Sequence, residues 1–286
     1  MTRLAAAFPA TLPRLIATDL DGTLLRSDGT ISARTDALLA SLRARDIPLV
    51  MVSARPPRSL RQIAARIGIE GNIAIGCNGA LMYDIATDTI LEHWPLSPQI
   101  ATRLVTDLRQ RLPDACFAIE DGLRSGWEPG YLKIRGRQPE PTDYTDDALA
   151  LCSVPISKLL MRHPHLSADE MLALGREIAG NDALATHSGD RLLEFSAVGV
   201  NKATALAALC ARLGIEQYAV VAFGDMPNDI AMLRWAGRGV AVANAHDEVL
   251  AAADAITASN DDDGLAVALE ELLASESGLL DHEAAS

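Results

Sequence analysis

Little in this chain suggests cross-linking, polyanion binding or membrane insertion. The four cysteines, Cys77, Cys116, Cys152 and Cys210, are scattered and form no C-x-x-C pair. Neither a zinc site nor a disulfide framework is indicated, and they read as buried thiols. Lys and Arg number 25 against 38 Asp and Glu, for a net charge of -13 and a pI near 4.8. That balance excludes general binding to nucleic acid or to anionic membrane, both of which need a basic surface. No apolar run approaches the about 18 residues of a membrane span. Leu4–Phe8 is too short for a signal-peptide core and Pro9 follows at once, so a cytoplasmic location is expected. Aromatic residues are scarce at 4%. Of the histidines only His163 and His165 are close in sequence, and they read as a strand end or loop.

What is present is an ordinary globular composition, 49% hydrophobic over 286 residues. The length suits two domains, or one α/β domain carrying an insertion. Short apolar runs at Arg14–Asp19, Ile47–Val52 and Asn72–Ile75 alternate with helix patterns at Ala33–Arg45, N-capped by Ser32, and at Ser59–Ile67, stopped by Gly68. A second series begins with a helix from Asn201 to Leu213, stopped by Gly214. The strand Tyr218–Phe223, a helix near Asn228–Trp235 and the strand Gly239–Ala243 follow. Ala255–Ile256 suggests an edge strand and Leu265–Leu273 a last helix. Alternation of this kind implies a mainly parallel sheet covered on both faces.

The stretch between the two series differs in texture. Helix patterns at Ile100–Leu112 and Ala168–Ile178 and strand patterns at Phe117–Ile119, Lys158–Met161 and Leu192–Phe195 surround a Pro/Asp/Tyr-rich loop, Gln138–Asp147. The expectation is an α/β core, residues 12–83 and 196–275, interrupted by an α+β unit at 84–195, with loose ends at 1–11 and 276–286. The crossings near Tyr83–Asp84 and Ser196–Gly199 are expected hinges.

Asp19-Leu20-Asp21-Gly22-Thr23 follows the first strand, which puts its acids at the carboxyl edge where α/β sheets bind ligands. Alternation along an extended segment points Asp19 and Asp21 the same way. Such a pair suits metal-assisted phosphoryl transfer, one carboxylate attacking phosphorus and the other handling the leaving group's proton. Taken alone, Asp21-Gly22 reads equally well as a turn. The strand ending at Phe223 leads into Gly224-Asp225-Met226-Pro227-Asn228-Asp229, whose acids have no basic partner nearby in sequence. Alone these could be helix caps. Together the two motifs gather Asp19, Asp21, Asp225 and Asp229 at one edge, a cluster that a hard cation with all-oxygen ligation would compensate.

Ser53 lies before a helix start, where its hydroxyl and neighbouring N–H groups could hold phosphate or simply cap the helix. Lys202 is a cation at a helix N-terminus, opposed by the dipole unless an anion binds there. Neither G-x-x-x-x-G-K-[ST] nor a G-x-G-x-x-G after the first strand occurs, which removes the usual signs of a nucleotide P-loop and of dinucleotide binding.

In this order and at these spacings the chain resembles the haloacid dehalogenase superfamily, specifically its Cof-type phosphatases. The motifs that carry the likeness are Asp19-Leu20-Asp21-Gly22-Thr23-Leu24, Ser53-Ala54-Arg55, Asn78-Gly79, Lys202 and Gly224-Asp225-Met226-Pro227-Asn228-Asp229. Val242-Ala243-Asn244-Ala245 and Asp263-Gly264 complete them. The resemblance implies a Rossmann-like parallel-sheet core with a large inserted α+β cap of C2 type. It implies Asp19 as nucleophile and Asp21 as general acid/base. Mg²⁺ would be held by Asp19, Asp21 through its backbone carbonyl, and Asp225, with Asp229 in support. Leu20, Ser53, Ala54, Lys202 and Asn228 would surround the transferring phosphate, with Asn78 and Gly79 at the rim. Small phosphorylated metabolites, such as sugar phosphates or phosphorylated cofactors, are the substrate class implied. Family members usually have Gly where Ala54 and Ala203 stand, which implies tighter backbone geometry here. The cap offers no comparable motif, although Arg124, Trp127, Arg135, Arg162 and Arg191 are polar or aromatic groups that could meet a leaving group. A sugar phosphomutase with the same nucleophile, and a non-catalytic Mg²⁺-binding module, remain alternatives, and the sequence is silent on oligomeric state.

Overall fold

The computed structural model describes residues 12–69, 71, 73–135, 144–188 and 191–283. The chain begins β1 (Leu15–Thr18), α1 (Ala33–Ala44), β2 (Leu49–Met51), α2 (Pro57–Ile67), β3 (Ile73–Gly76), β4 (Leu81–Asp84) and β5 (Thr89–His93). It continues with α3 (Pro98–Arg111), β6 (Cys116–Glu120), β7 (Ser125–Trp127), α4 (Pro129–Arg135), β8 (Tyr144–Thr145), α5 (Ala148–Leu151), β9 (Lys158–Arg162), α6 (Ala168–Ala179), β10 (Ala183–Thr186) and β11 (Leu193–Ala197). It ends with α7 (Lys202–Leu213), β12 (Val220–Gly224), α8 (Ile230–Trp235), β13 (Arg238–Ala241), α9 (Asp247–Ala252), β14 (Ala255–Ile256) and α10 (Gly264–Glu283).

The first and last of these series build one parallel sheet in the order β14-β13-β12-β1-β2. Period-2 alternation sorts its side chains onto two faces. Ile16, Met51, Val221 and Phe223 pack with Leu39 and Leu42 of α1, Leu60 and Ile63 of α2 and Leu269 of α10. Leu15, Ala17, Val50, Val220 and Ala222 pack with Leu206 and Leu209 of α7, Met232 of α8 and Val249 of α9. Cutting any one of these buried leucines to alanine should cost about 2–5 kcal/mol. The expected N-cap at Ser32 is present, its side chain accepting the Thr35 N–H, and Gly68 and Gly214 close α2 and α7 in left-handed conformations.

The central series builds a separate six-stranded sheet, β10-β11-β9-β6-β7-β8, antiparallel except for the β7–β8 pair. It has its own apolar core, in which Phe117, Leu159, Met161 and Phe195 meet Leu104 and Leu108 of α3 and Met171 of α6. It is called the cap sheet below.

Several elements differ from the sequence-based expectation. Tyr83 and Asp84 lie within β4, paired with β5 in an antiparallel sheet with β3, so the expected hinge is interior strand. The chain leaves for the cap sheet only after His93, because Tyr83 is fully buried and anchors the β4–β5 hairpin on the core. Tyr218 falls in a single helical turn, Gln217–Ala219, and is 77% exposed, and the strand starts at Val220. Tyr144–Thr145, expected in a loop, pairs with β7. The last helix runs on to Glu283, past Ser275 where a loose end was expected. The expected loose ends at 1–11 and 284–286, and most of the Pro-rich loop (136–143), lie outside the described residues. Among the described residues no helix is long and apolar enough to cross a membrane.

Candidate active site

Parallel register is what assembles the site. Thr18 of β1 pairs with Phe223 of β12, so the residues that follow each strand, Asp19 and Gly224-Asp225, emerge side by side. The Asp19 N–H closes the junction on the Phe223 carbonyl at 3.0 Å. Gly22 turns the chain with φ +80°, and a β-carbon there would stand 2.4 Å from Asp225 Oδ2. A glycine is needed to bring the Asp21-Gly22 backbone against the second motif. Thr23 Oγ1 then donates to Asp225 Oδ1 at 2.7 Å, tying the motifs together.

Asp19, Asp225 and Asp229 each bring a carboxylate oxygen within 4.8 Å of the others, and none is more than 6% exposed. The sequence reading left these acids without a basic partner, and the structure supplies one from 183 residues away. The fully buried Lys202, first residue of α7, donates to Asp19 Oδ1 at 2.6 Å and to Asp229 Oδ1 at 2.5 Å. Asp229 Oδ2 accepts the N–H groups of Asp225 and Met226, both at 3.0 Å. Asp229 thus serves the lysine and the loop backbone, and Asp225 Oδ2 faces the Gly22 turn.

Burial holds the Asp19 carboxyl well above the usual range, against the pull of Lys202. Burial, with the Asp229 charge, pushes Asp225 up to about 7. Lys202 moves the other way: burial alone would lower it, but Asp19 and Asp229 outweigh burial and hold it above the ordinary lysine range. Three buried carboxylates against one ammonium leave an excess of negative charge, and the donors are all oxygen. That donor set fits a hard divalent cation.

Asp21 goes elsewhere. Its carboxylate is 54% exposed and gripped by Arg55, Nε to Oδ2 at 2.6 Å and Nη2 to Oδ1 at 2.5 Å, and it is not one of the three clustered acids. Ser53 is buried, and its hydroxyl oxygen accepts the Arg55 N–H at 3.2 Å. Leu20 is buried as well, which leaves only its backbone to reach a ligand. Asn78 and Gly79 were expected at a rim but are interior. Asn78, at φ 60°, accepts from Asn228 Nδ2 and donates to Glu194 Oε2, each at 3.0 Å. Gly79 lies so close to α7 that a β-carbon would meet the Asn201 carbonyl at 2.2 Å.

Sequence reasoning missed the contacts from the cap sheet. Lys158 donates to the Ala54 carbonyl at 2.6 Å and to Glu194 Oε1 at 2.5 Å, both side chains being buried. Arg58 of α2 binds Glu120 with two nitrogens, at 2.9 and 3.0 Å. Between these contacts lies a cavity of about 320 Å³ that reaches Asp21, Arg55, Trp127, Tyr131, Lys158 and Arg162. Arg124 instead pairs with Asp121 and lies over the Tyr144 ring. Arg191 offers Arg162 its backbone carbonyl at 3.3 Å. The Arg135 side chain lies outside the described residues.

A second cluster, His187, His246 and Asp169, joins the two sheets' helices, with His187 Nε2 3.1 Å and His246 Nε2 3.9 Å from Asp169 Oδ1. His246 Nδ1 accepts the Glu248 N–H at 3.3 Å, which leaves the proton on Nε2. Protonated there, Nε2 offers no lone pair to a metal.

Fold and site together define an α/β protein that gathers buried carboxylates on the carboxyl edge of a parallel sheet. The family model for haloacid dehalogenase-like hydrolase matches residues 16–269, and the chain belongs to that family. It is 30% identical over 256 residues to the 5-amino-6-(5-phospho-D-ribitylamino)uracil phosphatase YcsE of Bacillus subtilis (strain 168), covering 90% of this chain and 94% of that protein. Among solved structures it is similar to SMU.1108c from Streptococcus mutans UA159, with TM-score 0.81 and 26% identity over 92% of this chain and 100% of the other. A haloacid dehalogenase-like hydrolase from Bacteroides thetaiotaomicron gives TM-score 0.73 and 26% identity over 92% and 100%. The chain is thus an enzyme of the phosphatase class.

Proposed function

We propose that this protein is a Mg²⁺-dependent phosphatase of small phosphorylated metabolites that works through an aspartyl phosphate on Asp19. The observation that carries the reading is the buried Asp19 carboxylate held on Oδ1 by Lys202 at 2.6 Å, beside two further buried carboxylates. Asp19 attacks phosphorus in line with its other oxygen, and Lys202, freed from part of its ion pairing, offsets the developing charge. Asp21 gives a proton to the departing alcohol and takes one from the water that hydrolyses the intermediate. Its exposed position, on the wall of the cavity beneath the cap sheet, supports that role. The backbone of Leu20 and Ala54, the Ser53 hydroxyl and Asn228 hold the transferring phosphate. Asp19, the Asp21 backbone carbonyl and Asp225, supported by Asp229, would hold Mg²⁺, which would supply neutralisation of charge on the phosphoryl oxygens.

The cap unit selects the leaving group and excludes water, meeting the core through Lys158, Glu120 and Glu194. The core is taken as residues 12–93 and 198–283, so the first crossing moves from Asp84 to the segment after His93. Phosphorylated cofactors fit the relative's named activity on a phosphorylated ribitylamino uracil, and sugar phosphates remain in the class. The test is phosphate release from a panel of sugar phosphates, phosphorylated vitamins and an aryl phosphate, with and without Mg²⁺, for wild type and Asp19→Asn. Magnesium-dependent release that disappears in the variant is expected. Phosphoryl transfer between sugars with little free phosphate would instead identify a mutase.

A further inference from the structure

A second cavity, of about 550 Å³, lies at the junction of the cap sheet and the core helices, and it shares no lining residue with the cavity at Asp21. Its body is apolar, formed by Leu184 and Ala185 of β10 and by Ile230 and Ala251 of α8 and α9.

Charged groups flank this apolar body. Arg176 of α6 and Arg234 of α8 line this cavity, one from each side of the junction. Neither guanidinium makes a hydrogen bond or ion pair among the described residues. Glu248 gives the lining one carboxylate, and Lys202 is already held by Asp19 and Asp229, so the two arginines leave the mouth with an excess of positive charge.

We propose that this junction cavity binds a small organic anion, a carboxylate, sulfonate or phosphate group carried on an apolar body. The anionic group sits on Arg176 and Arg234, and the apolar body lies against Leu184, Ala185, Ile230 and Ala251. Because the lining comes from both units, a bound anion holds them in the arrangement seen here.

Anilinonaphthalene sulfonate is an organic anion with an apolar body, and its fluorescence reports binding without turnover. Titrated into the full chain, it is expected to fill one saturable site that saturating inorganic phosphate does not empty. Arg176→Ala/Arg234→Ala should weaken binding about tenfold or more through loss of charge-assisted contacts. Ala251→Trp, which fills the cavity and leaves both arginines in place, should weaken it similarly. Displacement by phosphate would put the probe in the catalytic site and overturn the proposal, as would affinity unchanged in both variants. Mg²⁺-dependent hydrolysis of p-nitrophenyl phosphate, measured in parallel, tests the phosphatase mechanism alone. Its failure would leave the binding result standing, and the reverse also holds.

Discussion

The Lys202 ammonium lies 2.6 Å from the Asp19 carboxylate although 183 residues separate them in the chain. The same ammonium reaches Asp229 at 2.5 Å, so one cation holds two of the three clustered acids in place before any metal arrives. Removing it leaves buried carboxylates uncompensated, at a cost of about 3–5 kcal/mol.

Lys202→Met is therefore expected to lower the melting temperature of the metal-free protein, and added Mg²⁺ should raise it by more than in wild type. On the proposed mechanism activity should fall by about a hundredfold or more, because the group assigned to offset charge on the transferring phosphoryl is gone. Thermal melts with and without Mg²⁺, followed by phosphate release, check both halves. Equal metal-induced shifts in the two proteins would argue against a shared site.

Asp21 and Asp225 should fail in different ways. The Asp21 carboxylate is held by Arg55 outside the acidic cluster, whereas Asp225 is part of it. Asp21→Asn is expected to keep Mg²⁺ binding while kcat drops by about a hundredfold to ten-thousandfold, the usual range for a general acid/base. Asp225→Asn should lose Mg²⁺ affinity first, with activity partly recovered at high Mg²⁺. Isothermal titration with the metal, beside kcat measured across Mg²⁺ concentrations, separates the two.

The position of the motifs was legible because each follows an apolar run of strand length, and a parallel sheet brings such ends to one edge. Asp19, Ser53, Asp225 and Asn244 all stand there. The partners of these residues were less legible. Arg55 stood in a recognised motif, but its grip on Asp21 depends on the angle at which α2 leaves β2. Lys158 and Glu194 reach the Ala54 carbonyl and Asn78 only because the cap sheet folds back over the core, a relation no local period encodes. The first crossing is expected at Asp84 because Ile85-Ala86-Thr87-Asp88 reads as a change of texture, whereas these residues join β4 to β5 as a hairpin turn.

Proton linkage gives a third test, since burial and the Asp229 charge push Asp225 up to about 7. Below that pH the metal-free site retains a proton that an incoming cation must displace. Mg²⁺ affinity should fall by about tenfold per pH unit in that range and level off above it. The unfolded chain loses the same proton in the ordinary carboxylate range. The metal-free fold should therefore lose stability as pH rises from there towards 7, with Mg²⁺ cancelling the loss. Titration calorimetry of the metal and melts across that window measure both trends. Affinity that stays flat with pH would mean that the metal does not meet Asp225.

The cap–core contact responds to acid in the opposite sense. Burial would raise Glu194, but the Lys158 ammonium at 2.5 Å outweighs burial and holds it below the ordinary glutamate range. Its contribution is present above that range and is lost as pH falls through the lowered value, when the protonated carboxyl releases Lys158. Because Glu194 also accepts from Asn78, and Lys158 also binds the Ala54 carbonyl, acid should loosen the cap before it unfolds the core. Hydrogen exchange at low pH is expected to rise first in β9 and β11, ahead of β1 and β12. Glu194→Gln should reproduce that pattern at neutral pH, with a stability loss of about 3–5 kcal/mol from the stranded ammonium. Lys158→Met/Glu194→Gln, which removes both charges, should recover much of that loss. A double variant no more stable than Glu194→Gln would show that the ammonium is not the strained element, and that the Asn78 contact carries the effect.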